Sequence, residues 1–316
     1  VQRVSVVVVS YNTRELLRRC LAALSGVHQA IVVDNGSEDG SADMVAQEFP
    51  SVALIRNSGN LGFGRANNQG LEVATGELAL LLNSDAATAP GAVATLAAAF
   101  ADPEVVAAGG RLVYPNGETQ NSTAGRLTLW ALFCEQTGLE KLAPGLRLLS
   151  PYWNTVRLAA RGDGSHEVVQ VMGACLMMRR VAGEFMRFDE RFFLYCEDTE
   201  LCHRLSTHGR IVYVPCAVFR HELGASSSGA RWLAVARYNR GKELYFRIHL
   251  GPAHSVVAWL MNRAGALLRL AAWSLLAAVT LGTSRRARDR ASLFVRVLLA
   301  PVAGPDEPSR TPCPVP

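Results

Sequence analysis

Apolar positions fall into two kinds of run, and their alternation along the chain predicts the architecture. Residues 4–9, Val-Ser-Val-Val-Val-Val, form a short β-branched run of the kind buried on both faces of a parallel sheet. Asn12 or Thr13 is placed to cap a helix with Leu16, Leu17, Cys20, Leu21 and Leu24 on one stripe. A second apolar run, 30–33, stops at the polar Asp34-Asn35-Gly36-Ser37. The pattern then predicts a helix over 41–48, a strand over 52–56, a helix over 65–74 and a strand over 78–82. Such alternation predicts an α/β fold with a doubly wound, mostly parallel sheet and ligands at the carboxyl ends of its strands.

Further along, Pro90 predicts the start of a helix through Phe100, residues 105–113 a strand, and Pro115-Asn116-Gly117 a turn. Residues 120–165 are poorly periodic and read as a variable, acceptor-facing region. A strand over 168–178, a helix over 199–208 stopped by Gly209, and strand over 211–214 lead to an apolar run ending at His221. Ser226-Ser227-Ser228-Gly229 marks a flexible boundary, beyond which 230–249 and 253–281 predict helices. The proline-rich end, 301–316, predicts a disordered tail.

Composition adds a second theme. Of 316 residues, 49% are hydrophobic and 19% charged, an apolar balance for a purely soluble enzyme. The excess concentrates between Val256 and Leu281, which points to contact with a membrane or an apolar partner. Residues 264–282 hold one charge, Arg269, in a stretch long enough to span a bilayer. Arg263 and Arg269 would be costly at the midplane, so an in-plane interfacial helix is expected, the alternative being a helix packed in a homodimer interface. The basic run Arg285-Arg286-Ala287-Arg288-Asp289-Arg290 fits attraction to anionic lipid on the cytoplasmic face, or equally a helix end whose cations complement the dipole.

A net charge of +5 is no nucleic-acid signature. Seven cysteines without a CxxC pair argue for a reducing compartment. Cys196, Cys202, His203 and His208 match no zinc knuckle. The chain opens into strand without a charged n-region or cleavage site, so no secretory signal is expected.

Chemistry-bearing residues gather where apolar runs stop. Glu197 and Asp198 follow Phe192-Phe193-Leu194-Tyr195; one carboxylate can take a proton from an attacking hydroxyl while its neighbour raises its pKa. The competing role is capping, with Asp198 as N-cap of the following helix. Asp85 closes Leu81-Leu82-Asn83-Ser84-Asp85, and a carboxylate there suits a hard cation bridged to a diphosphate. His221 would complete such a site if it lies near Asp85. Asp34 and Asn35 can grip a base or ribose, or simply form an Asx turn. Asn60-Leu61-Gly62-Phe63-Gly64-Arg65 is glycine-rich but matches neither GxGxxG nor Walker A. The first strand-to-helix turn, Ser10-Tyr11-Asn12-Thr13, has no glycine, which argues against a dinucleotide-dependent oxidoreductase.

Eight segments in order resemble family 2 glycosyltransferases of the GT-A fold, especially the rhamnosyltransferase-like branch: 9–12, 33–37, 60–64, 82–85, 173–175, 188–193, Glu197-Asp198 and the strand ending at His221. The resemblance implies a GT-A catalytic domain over 1–225, with nucleotide-sugar binding to about 115, then C-terminal helices to 300. It implies an inverting transfer from a dTDP- or UDP-sugar, dTDP-L-rhamnose above all, to a polyprenyl-diphosphate-linked saccharide, with Mg2+ or Mn2+. Galactofuranose or N-acetylglucosamine transfer, or an inactive nucleotide-binding scaffold, are the alternatives.

By the same resemblance Asp198 would be the base and Glu197 would shape its surroundings. Asp85 and His221 would hold the metal, and Gly173 and Ala174 would line the sugar pocket. Tyr11, Asn12, Asp34, Asn35, Arg65, Asn83 and Ser84 would contact the nucleotide sugar. Asn83 departs from the family by replacing the first acid of a DxD. Arg237, Arg240 and Lys242 are placed to meet an acceptor diphosphate, or to form a solvated basic helix face. The expected location is the cytoplasmic face of the plasma membrane, peripheral or monotopic, with no nucleic-acid partner.

Overall fold

A computed structural model of the chain describes residues 2–153, 164–222 and 231–300. The expected boundary at Ser226–Gly229 and the tail 301–316 lie outside these residues.

The first half follows the apolar pattern closely. Strand β1 (Val4–Ser10) leads through helix α1 (Arg14–Ala23), β2 (Gln29–Asp34), α2 (Ser41–Glu48), β3 (Ala53–Arg56) and α3 (Phe63–Glu72) to β4 (Leu78–Asn83). Parallel pairing gives the order β3-β2-β1-β4. Alternate side chains of β1 feed two cores: Val4, Val6 and Val8 pack with Leu17 and Met44, whereas Val7 packs with Ile31, Ala66 and Leu71. Helix α3 lies close because Gly70 has no side chain; a Cβ there would stand 2.3 Å from Val7 Cγ1.

Strands β5 (Ala86–Thr88), β6 (Val105–Val113), β7 (Thr123–Ala124), β8 (His166–Val168), β9 (Gln170–Val171), β10 (Cys175–Arg179) and β11 (Arg210–His221) complete the sheets, with helix α4 (Ala92–Ala98) after β5. The main sheet continues from β4 as β10-β6-β11-β5, and β7 pairs with β9 in a small second sheet. The expected parallel character is confined to the β3–β4 half and to the β6–β11 pair; β10 runs antiparallel to both its neighbours. The single strand expected over 168–178 is three, because the chain turns at Met172–Cys175, where Cys175 N–H donates to Met172 O at 3.1 Å. Conversely, the runs 211–214 and 218–220 belong to one strand with a register shift between Val214 and Val218.

After helix α5 (Leu129–Thr137), the short α6 (Leu139–Leu142) and helix α7 (Glu197–Leu205), the C-terminal region forms α8 (Arg231–Leu250), α9 (Pro252–Val279) and α10 (Arg285–Leu299). These helices are continuous with the sheet-bearing part of the chain. Tyr245, Phe246 and Ala258 share an apolar cluster with Leu132, Phe192 and Cys196. Buried polar groups bind α9 to α5: Gln136 Nε2 donates to Asn262 Oδ1 at 3.0 Å, and Arg269 donates to Gln136 Oε1 and Glu135 O at 2.7 Å each.

Helix α10 corrects one expectation. Ser284 caps it by accepting from Ala287 N at 3.3 Å, so Arg285, Arg286, Arg288 and Arg290 occupy its first turns. That is the positive end of the dipole, where cations are disfavoured rather than favoured. Among the described residues no helix is long and apolar enough to cross a membrane.

Candidate active site

The acid pair is carried on a strained entry to α7. Tyr195 (φ 75°) and Cys196 (φ 68°) are both left-handed, a conformation held only where neighbours over-determine it. Phe63 N–H donates to Phe193 O at 2.8 Å on one side. On the other, α8 rests on the loop through Gly241, where a Cβ would meet Tyr195 O at 2.5 Å. Cys196 takes the cap position, so Glu197 and Asp198 lie in the first helical turn. The alternative of Asp198 as N-cap is thereby corrected.

Both carboxylates are perturbed. Asp198 is half-buried; Oδ2 accepts from Gly173 N at 3.0 Å and Oδ1 from Thr199 N at 2.8 Å. Burial pushes its pKa up from the ordinary value, and these backbone donors moderate the rise. Glu197 is buried, and its Oε2 has no hydrogen-bond partner among the described residues. Burial, then the neighbouring Asp198 charge, pushes its pKa well above the ordinary carboxylate range. Two acids with unequal solvation at one helix start can hold one proton between them.

The second acidic site is built where β4, β5 and β11 meet. Antiparallel pairing sets His221 opposite Ala86, and Glu222 N–H donates to Asp85 O at 2.9 Å. His221 Nε2 then lies 3.1 Å from Asp85 Oδ1, with both side chains buried. Gln120 fixes the imidazole: its Nε2 donates to His221 O at 2.6 Å, which turns its Oε1 toward His221 Nδ1 at 2.9 Å. Nδ1 must therefore carry a proton, and the Nε2 lone pair of a neutral ring points to Asp85. A neutral ring offers that lone pair to a cation bound beside Asp85, and a proton on Nε2 instead hydrogen-bonds to the carboxylate. One carboxylate oxygen and one imidazole nitrogen, braced from behind, fit a divalent ion. Among the described residues no group of three or more His, Cys, Asp or Glu gathers there, so substrate oxygens and water would complete the shell. Asn83 does not replace the missing acid; its Nδ2 faces His221 Nε2 at 3.3 Å.

Register joins these sites. Ser10 pairs with Asp34 and Val9 with Asn83, so Tyr11, Asp34 and Asn83 share one sheet end. Asn83 N–H donates to Ala174 O at 3.2 Å, and Gly173 holds Asp198, which links the metal-type site to the acid pair through two residues. Asp34 Oδ1 accepts from Ser37 N at 2.9 Å, while its buried Oδ2 has no hydrogen-bond partner among the described residues.

Other expected contacts have different work. The Asn35 amide is spent on Asn57, Asn60, Leu61 and Gly62, and so shapes the glycine-rich loop instead of facing a ligand. Asn12 ties to Ser37 and Glu38, and Ser84 accepts from Thr13 Oγ1 at 2.8 Å. Arg65 is exposed, 3.7 Å from Glu190. Arg240 lines a large cavity beside the acid-bearing loop. Lys242 is fully buried, with Nζ 2.9 and 3.0 Å from the two Glu135 oxygens, so the expectation that it meets an acceptor diphosphate is corrected. Gln120 was not expected; it lies in an aperiodic stretch and nothing local marks it.

Comparison with known proteins identifies the family and the fold. The model of the family described as glycosyl transferase family 2 matches residues 5–180. An N-acetylglucosaminyl-diphospho-decaprenol L-rhamnosyltransferase of Mycobacterium tuberculosis is 28% identical over 83% of this chain and 90% of its own. Among solved structures, the Pyrobaculum calidifontis mannosyltransferase PcManGT with GDP-Man and Mn2+ superposes with TM-score 0.53 at 17% identity, covering 94% of this chain and 85% of that one. GalNAc-T7 with UDP, GalNAc and Mn2+ gives TM-score 0.54 at 16% identity over 77% of this chain and 48% of that one. Both share its GT-A fold.

Proposed function

The chain belongs to glycosyl transferase family 2, and from that premise we propose that it is an inverting, metal-dependent rhamnosyltransferase acting on a polyprenyl-diphosphate-linked saccharide. The observation that carries the reading is the joining of two acidic sites through Gly173 and Ala174. Adjacent residues thereby tie the acid pair to the strand that carries Asn83 and leads to Asp85, which supports a proton acceptor and a diphosphate-type cation site serving one sugar. The mycobacterial relative, similar over most of both chains, supports L-rhamnose as the sugar and a lipid diphosphate as the acceptor's anchor.

In this mechanism Tyr11 and Asp34 hold the nucleotide, the unpartnered Asp34 Oδ2 accepting from a base or ribose donor. Gly173 and Ala174 form the wall of the sugar pocket. Asp198 takes the proton of the acceptor hydroxyl as its oxygen attacks the anomeric carbon from the face opposite the leaving diphosphate. Burial raises Glu197 the more strongly of the two, so Asp198 gives up its proton first. Asp85 and His221 would hold a divalent cation, which when bound neutralises charge on the departing nucleoside diphosphate.

Membrane association belongs to the same proposal. Val256, Leu260, Leu267, Leu268, Leu275 and Val279 of α9 are exposed, and the basic first turns of α10 follow. This supports a helix lying in the interface of an anionic membrane, on the cytoplasmic face.

The test is transfer itself. Purified protein is incubated with a panel of nucleotide sugars and a lipid-diphosphate-linked N-acetylglucosamine, with Mg2+, Mn2+ or chelator, beside Asp198→Asn. Transfer from dTDP-L-rhamnose that needs the metal and is lost in the variant is expected. Transfer from another donor replaces the sugar; full turnover by Asp198→Asn overturns the mechanism.

A further inference from the structure

A cavity of about 810 Å3 opens between α8, α9, α10 and the loop Phe192–Tyr195. It is distinct from the donor end of the sheet: none of Tyr11, Asp34 or Asp85 lines it. Its size lies within the range of about 300–1,000 Å3 usual for small-molecule sites. One wall is the loop that delivers Glu197 and Asp198; the far wall is α9, where Val256 is 58% and Trp259 38% exposed. The cavity therefore runs from the loop that precedes the acid pair to the apolar helix face.

Its lining is amphiphilic. Leu194, Trp232, Leu233, Val256 and Trp259 supply apolar surface. Six arginines but only two glutamates also line it. Arg65 pairs with Glu190, Arg191 with Asp189, and Arg263 donates to Val297 O and Leu298 O. Arg237 and Arg240 stand on successive turns of α8, and the Arg237 guanidinium lies 4.7 Å over the Phe193 ring. That contact puts positive charge at the catalytic end, while the exposed tryptophan and valine lie at the other.

We propose that this cavity is the seat of the acceptor's anchor, with a diphosphate at Arg237 and Arg240 and the first isoprenoid units along Leu233, Val256 and Trp259. The inference rests on the lipid-diphosphate reading of the acceptor and goes further by assigning its place and residues. The occupant follows from charge and shape together. An anionic head next to a hydrocarbon tail matches arginines set among apolar side chains, and a plain alcohol or a free diphosphate satisfies only half of that lining.

The test reads binding without donor or glycan, so it stands even if no sugar is transferred. Farnesyl diphosphate is measured against the full chain by equilibrium dialysis, with farnesol and inorganic diphosphate alongside. One saturable site is expected for farnesyl diphosphate, with both half-ligands at least about tenfold weaker. Arg237→Gln/Arg240→Gln should weaken farnesyl diphosphate by about ten- to a hundredfold, as loss of charge-assisted contacts does, without changing farnesol. Ala236→Trp, which fills the cavity, should weaken both. Val256→Glu, at an exposed position where folding is not at risk, should do the same. The absence of saturable binding, unaltered affinity in all three variants, or equal affinity for farnesol and farnesyl diphosphate each overturns the proposal; the last would reveal an unspecific apolar trough.

Discussion

Replacing Lys242 with methionine separates two roles for the same residue. In the structure Lys242 is fully buried, its Nζ shared by both oxygens of Glu135 and 4.1 Å above the Tyr238 ring, while the Glu135 side chain keeps 18% exposure. Methionine preserves the apolar stem and adapts to the space, so the main loss is the charge. Removing one partner of a buried pair costs about 3–5 kcal/mol because the other charge is stranded. Here Glu135 retains some solvent and has Arg269 nearby, which lowers the expectation to about 2–3 kcal/mol. At about 2–4 °C per kcal/mol for a large domain, the melting temperature should fall by roughly 4–12 °C. Lys242→Met/Glu135→Leu removes the stranded carboxylate and should recover most of that loss. Thermal melting of the two variants and the wild type reads the cycle, and acceptor KM is measured below the melts. An unchanged melt with a raised acceptor KM would refute the reasoning, since it would place the ammonium on a ligand.

Four further outcomes test the site. Asp198→Asn should lower kcat by about 10²–10⁴-fold, with nucleotide affinity by calorimetry unchanged. Glu197 has its folded pKa raised, so between its ordinary value of 4.5 and that raised value the folded state binds the extra proton, and stability falls as pH rises. Glu197→Gln should therefore melt like the wild type near pH 4 and above it at pH 8; the reverse trend would contradict the burial. The same sign applied to Asp198 sets the acid limb of kcat/KM above the ordinary aspartate range. Gln120→Leu frees the His221 ring and should weaken Mn2+ binding, read by the electron paramagnetic resonance of free Mn2+ with nucleoside diphosphate present, by about 10–100-fold.

What could be read from the chain was local. Helix 41–48 and strand 105–113 match the structure because period and length are written in consecutive residues. The turn at Met172–Cys175 was invisible because apolar residues continue through it, and only the tertiary approach of Asp198 to Gly173 N–H explains it. The Asp85–His221 contact was legible as a possibility, because each residue ends an apolar run. Gln120 was not, since it is defined by a partner 101 residues away. Lys242 misled for a related reason: a lysine in a basic helix reads as solvated unless the opposing Glu135 is known.

The dependence of the acid pair on the C-terminal helices can be argued from one glycine. Ordinarily, alanine is favoured over glycine inside a helix by about 1 kcal/mol. At Gly241 that gain meets Tyr195 O at 2.5 Å, Cys196 Cβ at 3.0 Å and Cys196 Sγ at 3.1 Å. These are the two left-handed residues that turn Glu197 and Asp198 into the site. The backbone oxygen cannot rotate away, so either α8 lifts or the strained turn relaxes, and each moves Asp198 from Gly173. Gly241→Ala should therefore lower kcat more than about tenfold, since misplacement by about 1 Å can cost 10²-fold, while nucleotide affinity at the distant sheet end stays unchanged. If the variant is instead more stable by the helical increment and turns over normally, α8 merely lies beside the loop, and the strain at Tyr195 and Cys196 must be held from the Phe63 side.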